Sequence, residues 1–172
     1  MGVLAHQQIR ALLDGDEPLA SGLADPSAQV QANGLDMTLA SVAAFEGAGR
    51  IGAANAERVL PETRELAFDA DGWLRLEPGA YLVRLAEEVR LPGNVMAFGK
   101  PRSSLLRSGV AVHNAVWDAG YQGRSQALLV VYNPAGFSVA KGARILQLVF
   151  QTLDAPTDAP YAGRYQGELL RT

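Results

Sequence analysis

The chain has 172 residues, of which 48% are hydrophobic, with 15 Lys and Arg against 18 Asp and Glu. This length and composition predict one globular domain, and a net charge of -3 argues against a duplex nucleic-acid binder, which usually carries a basic face. With no cysteine and only two histidines, a disulfide framework and a thiolate zinc site are excluded. No signal-like or membrane-length segment occurs, so we expect a cytoplasmic protein without membrane or nucleic-acid partners.

The chain begins with a predicted amphipathic helix over residues 5–14, whose apolar side is formed by Ile9, Leu12 and Leu13. Residues 17–29 are rich in Pro, Asp and Ser and predict an extended loop, so helix and loop together occupy about residues 1–29. A strand is predicted over residues 31–42, followed by a loop over residues 43–55.

Beyond Pro61 the sequence becomes a succession of short β runs separated by turn signals such as Asp71-Gly72 and Pro92-Gly93. The runs 127–132 and 143–153 are nearly continuous in apolar residues and predict strands buried on both faces. We therefore expect a mainly β fold, a jelly-roll-like distorted β-barrel with one or two short helices. It would form a single domain over residues 1–172, ending in an arm at about residues 158–172.

A cluster of basic and hydroxyl side chains lies at Arg102, Ser103, Ser104 and Arg107. The planar Arg102 guanidinium and the two serine hydroxyls suit phosphate oxygens, so the cluster is a candidate triphosphate site. The same residues also suit a helix N-terminus capped by Ser103 or Ser104, and spacing alone leaves both interpretations open.

A single carboxylate, Asp118, precedes the turn 119–123, which reads Ala-Gly-Tyr-Gln-Gly. A carboxylate held at a turn can orient and deprotonate a water molecule. An aspartate before such a turn is also ordinary β-turn chemistry, so this motif does not decide its own role.

Taken together, PRSSL at residues 101–105 and DAGYQG at residues 118–123 resemble the trimeric dUTPase and dCTP deaminase superfamily. Three further stretches, 30–39, 141–148 and 163–168, are similar to other motifs of that family in the same order. The N-terminal helix and the terminal arm look like those of the dCTP deaminases and of the longer, archaeal-type dUTPases, and the chain as a whole resembles the latter most. The resemblance covers nearly the whole chain.

This resemblance implies roles for particular residues. A β-hairpin over residues 110–122 would receive the pyrimidine, with Asn114 in the base pocket, and Tyr121 would lie under the deoxyribose. Gln147 and Arg164 would join Arg102, Ser103, Ser104 and Arg107 at the phosphates. His113, on the same hairpin, and Tyr121 have structural alternatives.

The resemblance also implies a homotrimer and a Mg²⁺ cofactor, with a water-mediated metal contact at Asp36 and a weaker candidate at Glu168. The implied activity is hydrolysis of dUTP to dUMP and pyrophosphate, with water activated by Asp118 attacking the α-phosphorus. The alternatives are dCTP deamination, alone or combined with diphosphatase activity, and a catalytically silent nucleotide-binding trimer.

The strand over residues 124–133 bears on these alternatives. It contains no Glu, Asp or His, whereas in the deaminases of the family that the chain resembles a glutamate on this strand moves protons to the ring and the leaving amine. Asp118 is then the carboxylate in reach, and we predict diphosphohydrolysis.

Overall fold

A computed structural model describes residues 2–170 of the chain. Its helices are α1 (His6–Leu13), α2 (Pro26–Gln29) and α3 (Ser103–Arg107), with a 3₁₀ turn at Asn55–Glu57. The strands are β1 (Ala20–Ser21), β2 (Val30–Gln31), β3 (Gly34–Glu46), β4 (Glu62–Leu66), β5 (Trp73–Leu76), β6 (Gly79–Leu85), β7 (Glu88–Arg90), β8 (Val95–Pro101), β9 (Val110–His113), β10 (Val116–Trp117), β11 (Gln122–Gly123), β12 (Gln126–Val131), β13 (Phe137–Ala140) and β14 (Arg144–Thr152). The predicted mainly β fold is confirmed.

One antiparallel sheet of nine strands dominates the molecule, in the order β10-β8-β14-β3-β6-β12-β9, with β2 and β4 also paired to β3. Two smaller sheets flank it, β1-β7-β11 and β13-β5. Alternate side chains of the large sheet form the core, including Met37, Leu129, Leu148 and Phe150, all fully buried. Because successive side chains of a strand point to opposite faces, the apolar ones lie on one face of the sheet. The sheet curls so that this apolar face is covered.

The long strand β3 turns the sheet. Its first half pairs with β14 and its second half with β6, and the register shifts between Leu39 and Ser41. A bulge of this kind bends a strand and increases its twist. The strand also runs on to Glu46 through pairing with β4, so the predicted loop at residues 43–55 was wrong for its first four residues.

The N-terminal region differs partly from prediction. Helix α1 is confirmed within one residue at each end, and Ile9 is its buried residue. The predicted loop at 17–29 instead contains β1 and α2. Helix α2 begins because the Asp25 side chain accepts hydrogen bonds from the backbone N–H groups of Ser27 and Ala28, with Pro26 in the first turn.

Strands β12 and β14 alternate between buried and half-buried residues. The prediction that both faces are buried was therefore wrong within one chain. Their outward residues, such as Leu128, Val130 and Val149, are apolar and only partly covered.

The prediction that residues 110–122 form a hairpin of two strands paired with each other was also wrong. Strand β9 pairs with β12, and β10 pairs with β8, at opposite ends of the sheet order. In the part of the chain described, no helix is both long and apolar enough to cross a bilayer.

Candidate active site

Three strands bring polar side chains into one row on the outer face of the sheet. Gln147 of β14 lies opposite Asp36 of β3 on one side and Lys100 of β8 on the other. Residues directly opposite each other in antiparallel strands project to the same face. Arg102 follows the end of β8 and reaches Asp36. The sheet therefore assembles Asp36, Arg102 and Gln147, predicted separately from the sequence, into one cluster.

Asp36 anchors this cluster. Only 2% of its side chain is exposed, and its Oδ2 lies 3.0 Å from Nε of Arg102 and 3.3 Å from Nη1 of Arg144. Burial raises the pKa of the Asp36 carboxyl, opposed by the two guanidinium groups, which lower it. Arg144 also donates to the carbonyl of Ala28. Asp36 thus orients two cations that are each about one-third exposed.

The predicted contact of Asp36 with Mg²⁺ finds no support in this geometry. The carboxylate is buried and engaged by two guanidinium groups, whereas Mg²⁺ prefers accessible carboxylates, phosphates and water. Between residues 2 and 170, no group of three His, Cys, Asp or Glu side chains is arranged to hold a metal. Asp36 therefore does not fit the ion as a direct ligand, and its water-mediated contact stays a prediction.

The hydroxyl cluster forms the first turn of α3. Arg102 is the N-cap residue, its side chain makes no capping bond, and Leu105 buries the inner side of the helix. The alternative in which Ser103 or Ser104 caps the helix was wrong, because both lie inside it and are exposed. Arg107 donates to the Ser103 carbonyl at 3.1 Å. The exposed hydroxyls remain available for a phosphate.

Asp118 follows β10 and is exposed at the start of a turn closed by a hydrogen bond from the Tyr121 N–H to its carbonyl, 3.1 Å long. The turn needs glycine at position 120, where φ is +85° and a Cβ would lie 2.6 Å from Cβ of Pro160. Asp118 borders two clefts, of about 640 and 390 Å³. The exposed carboxylate therefore faces open space in which water and a ligand can meet.

The larger cleft is lined by residues from three parts of the fold. Trp117, Tyr121 and Ser125 line its base beside Asp118. Residues of β3, β4 and the connection between them form one wall, and the C-terminal arm forms the other. These wall residues include Phe45, Leu60, Thr63, Tyr161, Tyr165 and Glu168. The predicted residues Asp118 and Tyr121 therefore share one cleft.

A chain of hydrogen bonds runs beneath this cleft. Trp117 Nε1 donates to Ser125 Oγ at 2.6 Å, which lies 3.0 Å from the Tyr121 hydroxyl, and that hydroxyl donates to Glu168 Oε1 at 2.9 Å. Burial raises the pKa of Tyr121 and also that of Glu168. The Tyr161 ring meets Tyr121 edge-on, with centroids 5.7 Å apart.

The C-terminal arm docks on its own chain. Gly123 and Glu168 form a parallel bridge, and the Gly167 N–H donates to the Gln122 carbonyl at 2.8 Å. The Gln166 side chain accepts from the Gln122 N–H and donates to the Gly120 carbonyl. Arg164 is exposed on this arm and lines neither cleft. Residues 171 and 172 of the predicted arm lie outside the described residues.

Within one chain the cluster around Arg102 and the carboxylate of Asp118 are far apart. Trp117 lies opposite Ala97 of β8, and the strand direction carries Asp118 away from Arg102. Six residues of β8 therefore separate them, roughly 20 Å at about 3.3 Å per residue. One chain does not bring the two halves of the predicted site together.

The remaining predicted residues lie between these halves. Asn114 packs on the middle of β8, where a Cβ added to Gly99 would lie 2.8 Å from its amide nitrogen. Asn114 does not line the larger cleft. The exposed His113 lies 3.4 Å from the Tyr132 hydroxyl through Nε2, which supports its structural alternative.

Sequence reasoning missed several residues near the site. Arg144 and Lys100 join the Asp36 cluster. Glu168, which the sequence predicts only as a weaker metal contact, lines the cleft of Asp118. A basic residue beginning an apolar strand was an available signal for Arg144. Ser125 lies only four and eight residues from its partners Tyr121 and Trp117, but a lone serine gives no pattern that would mark it. For Glu168 no local signal existed, because its partner Tyr121 is 47 residues away in the sequence.

A second buried network supports the Asp36 strand. Glu87 is fully buried, its Oε1 accepts from Gln29 Nε2 at 2.7 Å and Thr38 Oγ1 at 2.6 Å, and its Oε2 accepts from the Thr38 N–H at 2.9 Å. Gln29 Nε2 also donates to the Asp36 carbonyl. Hydrogen-bond donors thus compensate the buried carboxylate and hold the Asp36 backbone.

Residues 3–153 match the family model of the dCTP deaminase-like proteins, and the chain belongs to that family. Among its relatives, a probable deoxyuridine 5'-triphosphate nucleotidohydrolase from Methanosarcina mazei is 46% identical over 98% of both chains. A deoxyuridine 5'-triphosphate nucleotidohydrolase from Methanocaldococcus jannaschii is 38% identical over 81% of this chain and 88% of its own.

A solved structure supports the same assignment of the fold. The 2'-deoxycytidine 5'-triphosphate deaminase from Agrobacterium tumefaciens is 27% identical, with a TM-score of 0.68 over 88% of this chain. The match spans 48% of that longer chain, so this chain corresponds to about half of its length.

Proposed function

We propose that this protein is a dUTP diphosphatase that converts dUTP and water to dUMP and pyrophosphate. The observation that carries the proposal is Asp118, exposed in a cleft above Tyr121 in a chain 46% identical, end to end, to a probable dUTP nucleotidohydrolase. The cleft suits a nucleoside, and the cluster at Asp36 and Arg102 suits a triphosphate.

In the proposed mechanism the pyrimidine and sugar occupy the larger cleft. Within residues 2–170, strand β10 lies at the end of its sheet, so one edge of its backbone pairs with no other described strand and suits recognition of uracil. Tyr121 lies under the deoxyribose. Asp118 takes a proton from a water whose oxygen attacks the α-phosphorus, the bond to the β-phosphate oxygen breaks, and pyrophosphate leaves. Arg102 and Gln147, with the hydroxyls of Ser103 and Ser104, hold the phosphates, assisted by Arg107.

The proposed site is completed by another copy of the chain. A separation of roughly 20 Å along β8 is too large for one nucleotide to contact Asp118 at its α-phosphorus and the Arg102 cluster of the same chain. The half-buried apolar face of Leu82, Leu128 and Val130, with Phe98 and Val116 exposed nearby, supports subunit contact. A homotrimer supplies each Asp118 cleft with the phosphate cluster of a neighbour.

Mg²⁺ is the cofactor in this proposal, and it would supply neutralisation of the charge on the departing pyrophosphate, although no side chain between residues 2 and 170 is assigned to hold it. Asp36 serves as the anchor of Arg102 and Arg144 instead of a direct metal ligand. Arg164 reaches the phosphates from the arm, and Asn114 lies near the base. We also propose a cytoplasmic location, where the substrate occurs.

Deamination remains the second candidate, because Glu168 is a second carboxylate in the cleft. In our proposal Glu168 does not catalyse deamination, because its Oε1 already accepts a hydrogen bond from the Tyr121 hydroxyl. Strand β12 offers no acidic side chain in its place. The test is incubation of the pure protein with dUTP, dCTP, UTP and dTTP, with pyrophosphate and ammonia measured separately. We expect pyrophosphate from dUTP, and stoichiometric ammonia from dCTP would overturn the proposal.

A further inference from the structure

The hydrogen bonds beneath the cleft have a determined direction. The Trp117 indole nitrogen is only a donor, so Ser125 Oγ must accept there, at 2.6 Å. The Tyr121 hydroxyl donates its proton to Glu168 Oε1 at 2.9 Å. The Ser125 hydroxyl therefore donates to the Tyr121 oxygen, which lies 3.0 Å away. Each hydroxyl therefore donates and accepts once, and the chain ends on a carboxylate. Such a chain polarises its members cooperatively.

This chain joins three parts of the fold. Trp117 ends β10, Ser125 precedes β12, and Glu168 belongs to the C-terminal arm. Trp117, Tyr121 and Ser125 are each at least 93% buried. The Tyr121 ring is thereby held at its hydroxyl end by two partners, Ser125 from the connection between β11 and β12 and Glu168 from the arm.

Building on the proposed function, we propose that Ser125 and Glu168 are positioning residues that fix the Tyr121 ring and so determine which sugar the cleft accepts. A ring held at its hydroxyl cannot tilt away to admit a larger sugar. Selection between a deoxyribose and a ribose then depends on the side chain of Glu168 and its hydrogen bond to the Tyr121 hydroxyl.

Further contacts of the arm strengthen this arrangement. The Arg124 N–H donates to the Glu168 carbonyl at 3.0 Å, and Arg124 Nη1 donates to the Leu169 carbonyl at 3.1 Å. The Glu168 backbone is therefore held from the β11–β12 connection while its side chain reaches Tyr121. A carboxylate placed in this way accepts a strong, charge-assisted hydrogen bond.

The experiment compares kcat/KM for dUTP with that for UTP in the full-length protein. Tyr121→Phe keeps the ring and removes the hydroxyl, and Glu168→Ala removes the final acceptor. We expect the dUTP preference to fall about tenfold in each, the change expected when a hydrogen bond to a charged group is lost. Glu168→Gln retains an acceptor oxygen and should recover most of the preference.

Gln166→Ala is the matched control. It removes two arm contacts, to Gln122 and Gly120, and leaves the hydrogen-bond chain in place. It should raise KM for both nucleotides together and leave their ratio unchanged. Thermal unfolding identifies a variant that fails to fold, and Tyr121→Phe remains as an independent test of the same hydroxyl.

The outcomes separate this inference from the proposed function. If the parent protein does not hydrolyse dUTP, the proposed function fails. If it does, and the dUTP to UTP ratio stays at the parental value in both Tyr121→Phe and Glu168→Ala, the positioning role is overturned. A ratio that falls equally in Gln166→Ala would assign the effect to arm docking in general and also contradict the specific role of Glu168.

Discussion

The Oδ2 atom of Asp36 lies 3.0 Å from Nε of Arg102, and this ion pair links strand β3 to the first residue after β8. Because the carboxylate is 2% exposed and the guanidinium is 32% exposed, Asp36 acts as an anchor and Arg102 as the group presented to solvent. This relationship gives a test that separates arginine orientation from metal binding.

Asp36→Asn should raise KM for dUTP while leaving the Mg²⁺ concentration needed for half-maximal rate unchanged. Losing the charge frees Arg102 to adopt other rotamers, whereas no metal ligand is lost. Arg102→Ala should weaken substrate binding by about 1.5–3 kcal/mol, the scale of a hydrogen bond to a charged group. Steady-state kinetics at varied Mg²⁺ provide the check. Recovery of Asp36→Asn by excess Mg²⁺ would instead favour a metal role.

Asp118→Asn should lower kcat by about 10²–10⁴-fold, because an amide cannot take the proton of the attacking water. Substrate affinity should change little, since the amide has the shape of the carboxylate. Asp71→Asn, at an exposed turn far along the chain, is the matched control and should retain parental turnover. Single-turnover release of pyrophosphate measures the effect, and near-normal turnover in Asp118→Asn would contradict the assignment.

Mixed trimers test whether each site uses two chains. At a dUTP concentration far below the KM of the Arg102→Ala protein, chains carrying Asp118→Asn and chains carrying Arg102→Ala should each have little activity alone and recover activity when co-expressed. With random assembly, three-quarters of the trimers contain both kinds of chain. Each mixed trimer has one site of three in which an intact Asp118 meets an intact Arg102 of the neighbouring chain. About a quarter of the parental activity should therefore return. No recovery would indicate that the two residues serve one chain.

The same design tests whether the arm acts on its own chain. The arm docks in cis through Gly123 and Gln166, so Asp118 and the arm of each site should belong to one chain. Co-expressing Asp118→Asn with a chain truncated after residue 157 should therefore restore no activity beyond that of the truncated chain. Recovery near a quarter would show that the arm crosses between chains.

Glu87→Gln should lower the free energy of unfolding by about 1–3 kcal/mol, the cost of leaving a buried hydrogen-bond donor unsatisfied. The new amide NH₂ must face either the Thr38 N–H or the donors that now meet Oε1. Glu65→Gln, on an exposed position of β4, is the control and should change little. Urea unfolding measures both at one fixed protein concentration, so that any contribution of subunit assembly is the same for the two variants.

Arm docking should weaken as pH rises. Burial raises the pKa of the Glu168 carboxyl, so the docked arm binds that proton more tightly than a free arm. Docking is then strongest below the ordinary pKa of a glutamate and declines as pH rises through the raised value. In a Trp73→Phe protein, Trp117 fluorescence reports on the cleft, and Glu168→Gln should remove the pH dependence. A pH profile unchanged by Glu168→Gln would assign it to another group.

The sequence alone determined the local elements and the chemistry of the motifs. Alternation of apolar residues and punctuation by Gly and Pro predicted a mainly β fold, because a strand with one buried face has a period of two. The motif at residues 101–105 and the turn at 118–123 predicted the phosphate and carboxylate residues only through their resemblance to a family, and these roles stay predictions.

Only the tertiary structure decided which residues meet. Strand register put Gln147 beside Asp36 and Lys100, and it separated Asp118 from Arg102 by the length of β8. The arm brought Glu168 to Tyr121, and the two strands at 110–122 found different partners. The physical reason is that sheet pairing and burial depend on distant segments, whose relative positions no local pattern encodes.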